Sequence, residues 1–314
     1  MKIKKILLIL TIILFNTFVF AADEKPGRFF EDQPDVNDDY QIHFNYLLAA
    51  DSEDREWDIN DKMEAILLEM NEIMARETAK KKGSNGVSKK YKFDMREDGK
   101  IDITFIRLTL KHNELSKYAN SNIIPYLWLN KFNNPKKIYF NFADFSNVDG
   151  GDAGVPVGTT YVRNKYNASQ KDTLIKITLH ELHHAQGGGF ICVPGMAANS
   201  HWSNRDKKNQ MGHGLALGAT YIHKVEGCPQ LVNSVYLTPT SEDPYDPFKL
   251  VCLRELGKYS HKKIVKAYDK NTKKAAKNKR GRGFSSHCIW MMTGNFDFLT
   301  EEVAKKRYKE KSNN

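Results

Sequence analysis

The stretch that decides the fold is ASQKDTLIKITLHELHHAQGGG, residues 168–189. Apolar residues recur in it at helical spacing, so one face of a helix can pack against a core. The three glycines that follow, beginning at Gly187, cannot sustain the helix and end it abruptly. The stretch therefore predicts a half-buried helix that ends at Gly187.

The last turns of this helix carry the motif His180-Glu181-Leu182-His183-His184. Positions four apart lie on one helix face, so His180 and His184 can direct a ring nitrogen at a common ion. At this spacing the two rings suit Zn²⁺, which binds histidine nitrogen at ~2.0–2.1 Å. Glu181 then lies beside the metal, where it can activate zinc-bound water as a general base. The pattern predicts a catalytic zinc site, with His183 as a supporting or core residue.

A zinc site of this kind needs a third protein ligand. The next histidine is His201, in SHWSNRDKKNQM at 200–211. His213 is an alternative, and His223 or a carboxylate such as Glu226 are further ones.

HELHHAQG, the late His201 and Met211 together resemble the metzincin metallopeptidases, and more narrowly the leishmanolysin-like branch. In that branch an insertion separates the glycine from the third histidine. The resemblance implies three zinc ligands (His180, His184 and His201), Glu181 as the general base, and Met211 as an apolar floor beneath the metal. Gly187 is the turn that joins the parts. The sequence departs from the short metzincin pattern at Phe190, where that pattern has a histidine.

The region before the motif has alternating and helical patterns. Alternation predicts strands at 40–49, 101–110 and 138–142, and an apolar face predicts a long helix over 58–79. A short helix is expected to begin at Pro125. The Gly/Asp-rich residues 147–158 indicate a loop, and Thr159–Arg163 a short edge strand. Together these patterns predict an α/β (α+β) fold: a metzincin-like twisted sheet with two long helices, followed by an irregular C-terminal subdomain.

The chain also shows a division into segments. A cationic start and an apolar run predict a signal peptide over 1–21, which places the protein in a secreted or periplasmic location without a transmembrane segment after cleavage. Residues 22–39 are expected to form a flexible lead-in, 40–187 the catalytic subdomain, and 188–314 the C-terminal subdomain.

Four cysteines lie in the C-terminal third: Cys192, Cys228, Cys252 and Cys288. An even number in an exported chain indicates two disulfide bonds, for which three connectivities exist. Our hypothesis is a Cys192–Cys228 bridge, which would bracket His201 and Met211, and a Cys252–Cys288 bridge.

The net charge of +10 is concentrated in one segment. Residues 262–282 contain ten Lys or Arg residues and one Asp. A segment like this could contact an anionic surface. Its end, Lys279-Arg280-Gly281-Arg282, has no interleaved aromatics and no recognisable nucleic-acid module, so a specific nucleic-acid partner is not expected.

Taken together, the patterns favour a secreted zinc metalloendopeptidase that cleaves a protein or peptide substrate. The substrate would lie as an extended strand beside the edge strand near Thr159–Arg163. A zinc-stabilised extracellular binding or adhesion protein is one alternative, and a hydrolase of a non-peptide amide is another. Glu181 distinguishes the first two, because a binding protein has no task for it.

Overall fold

The computed structural model describes residues 23–115, 119–145, 150–162, 168–187, 221–224 and 230–247. Within these ranges the chain forms β1 (Gln41–Leu48), α1 (Lys62–Lys80), β2 (Lys90–Tyr91), β3 (Ile103–Arg107), α2 (Asn120–Leu129), β4 (Lys137–Ala143), β5 (Gly151–Gly154), β6 (Val157–Tyr161), α3 (Ala168–Ala185) and β7 (Leu237–Thr238). Single 3₁₀ turns occur at His112–Glu114 and Leu231–Asn233.

Five of these strands form one sheet in the order β3-β1-β4-β6-β5. The strands β3, β1, β4 and β6 are parallel, whereas β5 runs antiparallel to β6 and lies at the edge. Every residue of β1 and of β4 is buried. Burial at every position requires cover on both faces of the sheet, as is usual for parallel strands.

Each face of the sheet has its own hydrophobic core. Phe44, Phe140 and Phe142 lie on the face that packs against α1 and α3. Leu47 and Tyr139 lie on the opposite face, against α2. Successive residues of a strand point to opposite faces, so the aromatic-rich strands supply both cores at once. The result is a three-layer arrangement with α3 on one outer face.

The predicted fold class is confirmed. The sheet is mostly parallel, and the two long helices are α1, with 19 residues, and α3, with 18 residues. The strands β1, β3 and β4 lie at the three segments where alternation predicts strands. No helix in the described part of the chain is both long enough and apolar enough to cross a bilayer.

The prediction for the edge of the sheet is wrong. Residues 151–154, within the expected loop, form the edge strand β5, and β6 at 157–161 pairs with β4 on one side and β5 on the other. A glycine-rich segment has little intrinsic strand propensity, so its sequence does not reveal β5. The strand exists because its backbone pairs with β6.

The expected start of α2 is also wrong. The sequence predicts a short helix beginning at Pro125, but α2 begins at Asn120. The backbone N–H of Ala119 donates to the Tyr161 hydroxyl at 2.5 Å. This tertiary contact provides an acceptor for one of the amides that a helix start leaves without an intrahelical partner.

Residues 23–39, expected from the sequence to form a lead-in, include side chains that contact the rest of the described chain. Arg28 is 7% exposed and donates to the carboxylates of both Asp54 and Asp58. Its guanidinium carbon lies 3.9 Å from the ring centre of Phe105 in β3. Such contacts join residues that are distant in sequence, and they leave no periodic pattern.

Residues 221–224 and 230–247 share the main core with the sheet. Tyr221, Tyr236 and Leu237 are buried within the same cluster as the residues of α1 and α3. In addition, β7 pairs antiparallel with β2. These parts of the expected C-terminal subdomain are therefore packed against the N-terminal part of the chain.

Gly158 in β6 leaves room for the ring of Phe140 in the neighbouring strand β4. A Cβ atom at this position would lie 2.5 and 2.6 Å from two ring carbons of Phe140, and 3.6 Å from the Cβ of Ala185. We therefore expect Gly158→Ala to lower the free energy of unfolding by about 1–3 kcal/mol, the usual cost of overpacking a core. Urea unfolding measures this value. Gly154→Ala is the matched control, since nothing lies within 4 Å of its added Cβ, and equal midpoints for the two variants would contradict the prediction.

Candidate metal centre

The predicted metal-binding histidines lie together on α3. The Nε2 atoms of His180 and His184 are 3.1 Å apart, and their ring planes are nearly perpendicular. Two nitrogens bound to one tetrahedral zinc ion at ~2.0–2.1 Å would be about 3.3 Å apart. The two rings converge as zinc ligands would, so this pair fits the ion that the motif implies. A third ligand would have to come from elsewhere in the chain.

Glu181 lies on the side of α3 that faces β5. Its side chain is 7% exposed. The fit against the strand is close: a Cβ atom on Gly151 would lie 2.3 Å from Glu181 Cγ and 2.7 Å from Cδ. Burial, and secondly the negative charge of Asp152, raise the pKa of Glu181 to about 8. A nearby cation would act in the opposite direction and favour the ionised carboxylate that a general base requires.

His183 lies between the pair in sequence and is buried. Burial and the neighbouring charge of His180 lower its pKa to about 3, so its ring is neutral at ordinary pH. Its Nε2 atom has no hydrogen-bond partner among the described residues. A neutral, enclosed imidazole fits the supporting role expected for it.

The helix α3 ends at Ala185, two residues before Gly187. The φ of Gly187, 76°, lies in the left-handed region that glycine adopts without strain, and its N–H donates to the carbonyl of His184 at 2.9 Å. The Tyr245 hydroxyl donates to the preceding carbonyl, that of Gln186, at 3.2 Å. These two hydrogen bonds hold the C-terminal end of the helix that carries both histidines.

The other residues assigned from sequence divide into two groups. His223 is half-buried, and its backbone N–H donates to the side-chain oxygen of Gln230 at 3.0 Å. The remainder lie outside the described residues: His201, Met211, His213, Glu226, the four cysteines and the basic segment 262–282. Their roles remain predictions.

A second group of side chains could also hold a metal ion. Asp32, His43, Asp94 and Asp102 bring their ligand atoms within 4.8 Å of one another. The ammonium group of Lys137, however, lies 2.6 Å from carboxylate oxygens of both Asp32 and Asp94. Lys137 is 2% exposed. Its ammonium group already neutralises these carboxylates, as a bound cation would. The histidine pair is therefore the stronger candidate metal centre.

The charged residues of this second group shift one another's pKa values. Burial opposes the charge of Lys137, but the surrounding carboxylates, Asp32 first, raise its pKa. Burial likewise acts to raise the pKa of Asp94, but His43 and Lys137 lower it below its ordinary value. In Asp102 burial prevails, and the pKa is raised.

Three residues that form or support the contact between β5 and Glu181 have no distinctive pattern in the sequence. Gly151 and Asp152 lie in a Gly/Asp-rich stretch that is typical of a turn, and Asn120 lies in a weakly periodic segment. The one available signal is the glycine itself, because a glycine within a strand often marks a close approach of another group.

Comparisons with known proteins give limited similarity. No protein-family model matches the chain, and no curated protein matches it. Among solved structures it is similar to catalytically inactive OgpA from Akkermansia muciniphila in complex with an O-glycopeptide substrate, with a TM-score of 0.36, 10% identity, and coverage of 52% of this chain and 50% of that one. For wild-type OgpA in another crystal form the TM-score is 0.35, with 13% identity and coverage of 52% and 51%. The chain thus spans about half the length of these structures.

Proposed function

We propose that this protein is a secreted or periplasmic zinc-dependent peptidase of metzincin type. The observation that carries the proposal is the convergence of His180 and His184 beside the buried Glu181, at the edge of the sheet. His180 and His184 would hold the ion, with His201 as the third ligand and His213 as its rival. When bound, zinc would polarise the scissile carbonyl and make a water molecule more acidic.

Glu181 is the general base in this proposal. Its carboxylate takes a proton from the attacking water and later transfers it to the leaving amine. The enclosure of the carboxylate between α3 and β5 limits its contact with bulk water. A zinc-stabilised binding protein gives such a residue no task, and this favours the hydrolytic alternative.

The substrate would bind to the outward-facing backbone of Gly151 and Ala153 in the edge strand β5, by adding a further strand to the sheet. The N–H of Tyr161 donates to the carbonyl of Gly150, and from there hydrogen-bonded and non-hydrogen-bonded pairs alternate. By this alternation the backbone groups of Gly151 and Ala153 point away from β6, whereas those of Gly154 point toward Val157. An extended peptide would therefore pair with Gly151 and Ala153.

Metal analysis tests the proposal directly. We expect the purified protein to contain about one zinc ion per chain, and His180→Ala or His184→Ala to lose most of it, because two ligands cannot hold a catalytic zinc ion firmly. His112→Ala is the control for substitution of a histidine outside the site. His201→Ala and His213→Ala decide which residue is the third ligand.

Activity is measured on the same samples with a mixed peptide library. We expect hydrolysis by the zinc-loaded protein, loss of hydrolysis after chelation, and recovery when zinc is restored. A protein that binds no zinc, or one that hydrolyses peptides equally well after chelation, would exclude the proposed function.

A further inference from the structure

The closest approach between β5 and α3 is at Gly151. A Cβ atom there would lie 2.3 Å from Glu181 Cγ, 2.6 Å from the carbonyl oxygen of Thr159 and 2.7 Å from Glu181 Cδ. Real Cβ atoms essentially never approach other heavy atoms within 3.0 Å. The backbone of Gly151 is not in the left-handed region, so the glycine is required for space rather than for conformation.

The strand cannot easily move away from Glu181, because it is held on its other side. The side-chain amide of Asn120 donates to the carbonyl of Asp152 at 2.6 Å, and the hydroxyl of Thr159 donates to the side-chain oxygen of Asn120. Asn120 is 5% exposed, so these bonds are shielded from water. A side chain on Gly151 would therefore displace Glu181, the strand or both.

We propose that Gly151 is a positioning residue for Glu181. Its bare backbone lets the carboxylate-bearing side chain lie directly on the strand that, in the proposed function, also binds the substrate. The base and the scissile peptide bond are then both located by one segment of backbone. This inference rests on the proposed peptidase activity.

The kinetic test compares Gly151→Ala with Gly154→Ala in the full-length, zinc-loaded protein. A displacement of about 1 Å in a reacting group can cost about 10²-fold in rate. We therefore expect Gly151→Ala to lower kcat by about 10²-fold, with KM changed by less than about threefold and the zinc content unchanged. Gly154→Ala adds the same methyl group to the same strand without a contact, so its kcat should stay within about twofold of wild type.

A second measurement uses the metal-free protein and does not depend on activity. The shift in Tm caused by Gly151→Ala is measured with Glu181 present and again in a Glu181→Ala background. Removing Cγ and Cδ of Glu181 relieves two of the three close contacts, so the shift should fall by about half or more. If Gly151→Ala alone does not fold, the double variant should recover folding.

The outcomes separate the two proposals. A wild-type protein that hydrolyses no peptide excludes the proposed function, while the stability measurement still tests the contact. An active wild type together with an equally active Gly151→Ala variant excludes the positioning role and leaves the peptidase intact. Equal Tm shifts in both backgrounds, or no recovery of folding in the double variant, also contradict the inference.

Discussion

Replacing Glu181 with glutamine is expected to lower peptide hydrolysis by about 10³-fold or more while zinc remains bound. Glutamine keeps the size and shape of the side chain but cannot accept a proton at neutral pH, so the loss isolates the role of the base. His180 and His184 are unchanged, so the metal content should equal that of the wild type. The two measurements are kcat/KM on a cleavable peptide and zinc per chain on the same sample.

The control for this variant is Asp172→Asn, which makes the same chemical change at an exposed position of the same helix. It should leave both activity and zinc content unchanged. Glu181→Asp retains a carboxylate but withdraws it by one methylene, so intermediate activity is expected. Full activity of Glu181→Gln would show that another group is the base.

Replacing Lys137 with methionine is expected to have the largest effect on stability. Its ammonium group lies within 2.6 Å of oxygens of Asp32, Asp35 and Asp94, and Asp94 is 1% exposed. Methionine preserves much of the volume but leaves the buried carboxylate of Asp94 without this cation. Breaking a buried pair in this way costs about 3–5 kcal/mol. Urea unfolding at neutral pH measures the loss.

The neighbouring Lys136 supplies the matched control. Its ammonium group pairs with Asp38, whose side chain is 96% exposed. An exposed pair contributes about 0–1 kcal/mol, so Lys136→Met should unfold nearly as the wild type does. If Lys137→Met lost no more free energy of unfolding than Lys136→Met does, Lys137 would contribute only as much as an exposed ion pair.

The pH dependence gives a further check on the role of Lys137. The pKa of Asp94 is lower in the folded protein than its ordinary value of 3.8, so its ionised form stabilises the fold above that pH. This contribution is lost as the pH falls through the lowered value. In Lys137→Met, protonation of Asp94 at low pH also removes the negative charge that the missing ammonium group no longer compensates. The difference between the wild type and the variant should therefore be largest near neutral pH and shrink below about pH 4.

The parts of the fold that the sequence predicts correctly are those with a strong internal period. The helix α1 presents Met63, Met70 and Met74 on one buried face, and β1 and β4 are rich in aromatic and branched residues. In these elements local pattern and tertiary burial agree. The edge strand β5 differs. The close contact with Glu181 requires a glycine at position 151, and no local sequence pattern predicts that contact.

The sequence predicts the candidate site only where its residues lie close together in the chain. His180, Glu181 and His184 occupy adjacent turns of a single helix, so their spacing alone predicts their convergence. Asn120 and Gly151 come from separate segments and meet α3 or β6 only through the sheet. Their positions depend on tertiary contacts, which one sequence does not reveal.

The contacts of Arg28 indicate that residues 23–39 should be kept in any shortened version of the protein. A shortened version of the protein starting at Tyr40 would seem harmless, because residues 23–39 look like a tail. It would remove the guanidinium that neutralises Asp54 and Asp58 and would uncover the ring of Phe105. Tolerance to trimming follows burial and bonding rather than distance from a terminus, so these residues belong to the folded unit.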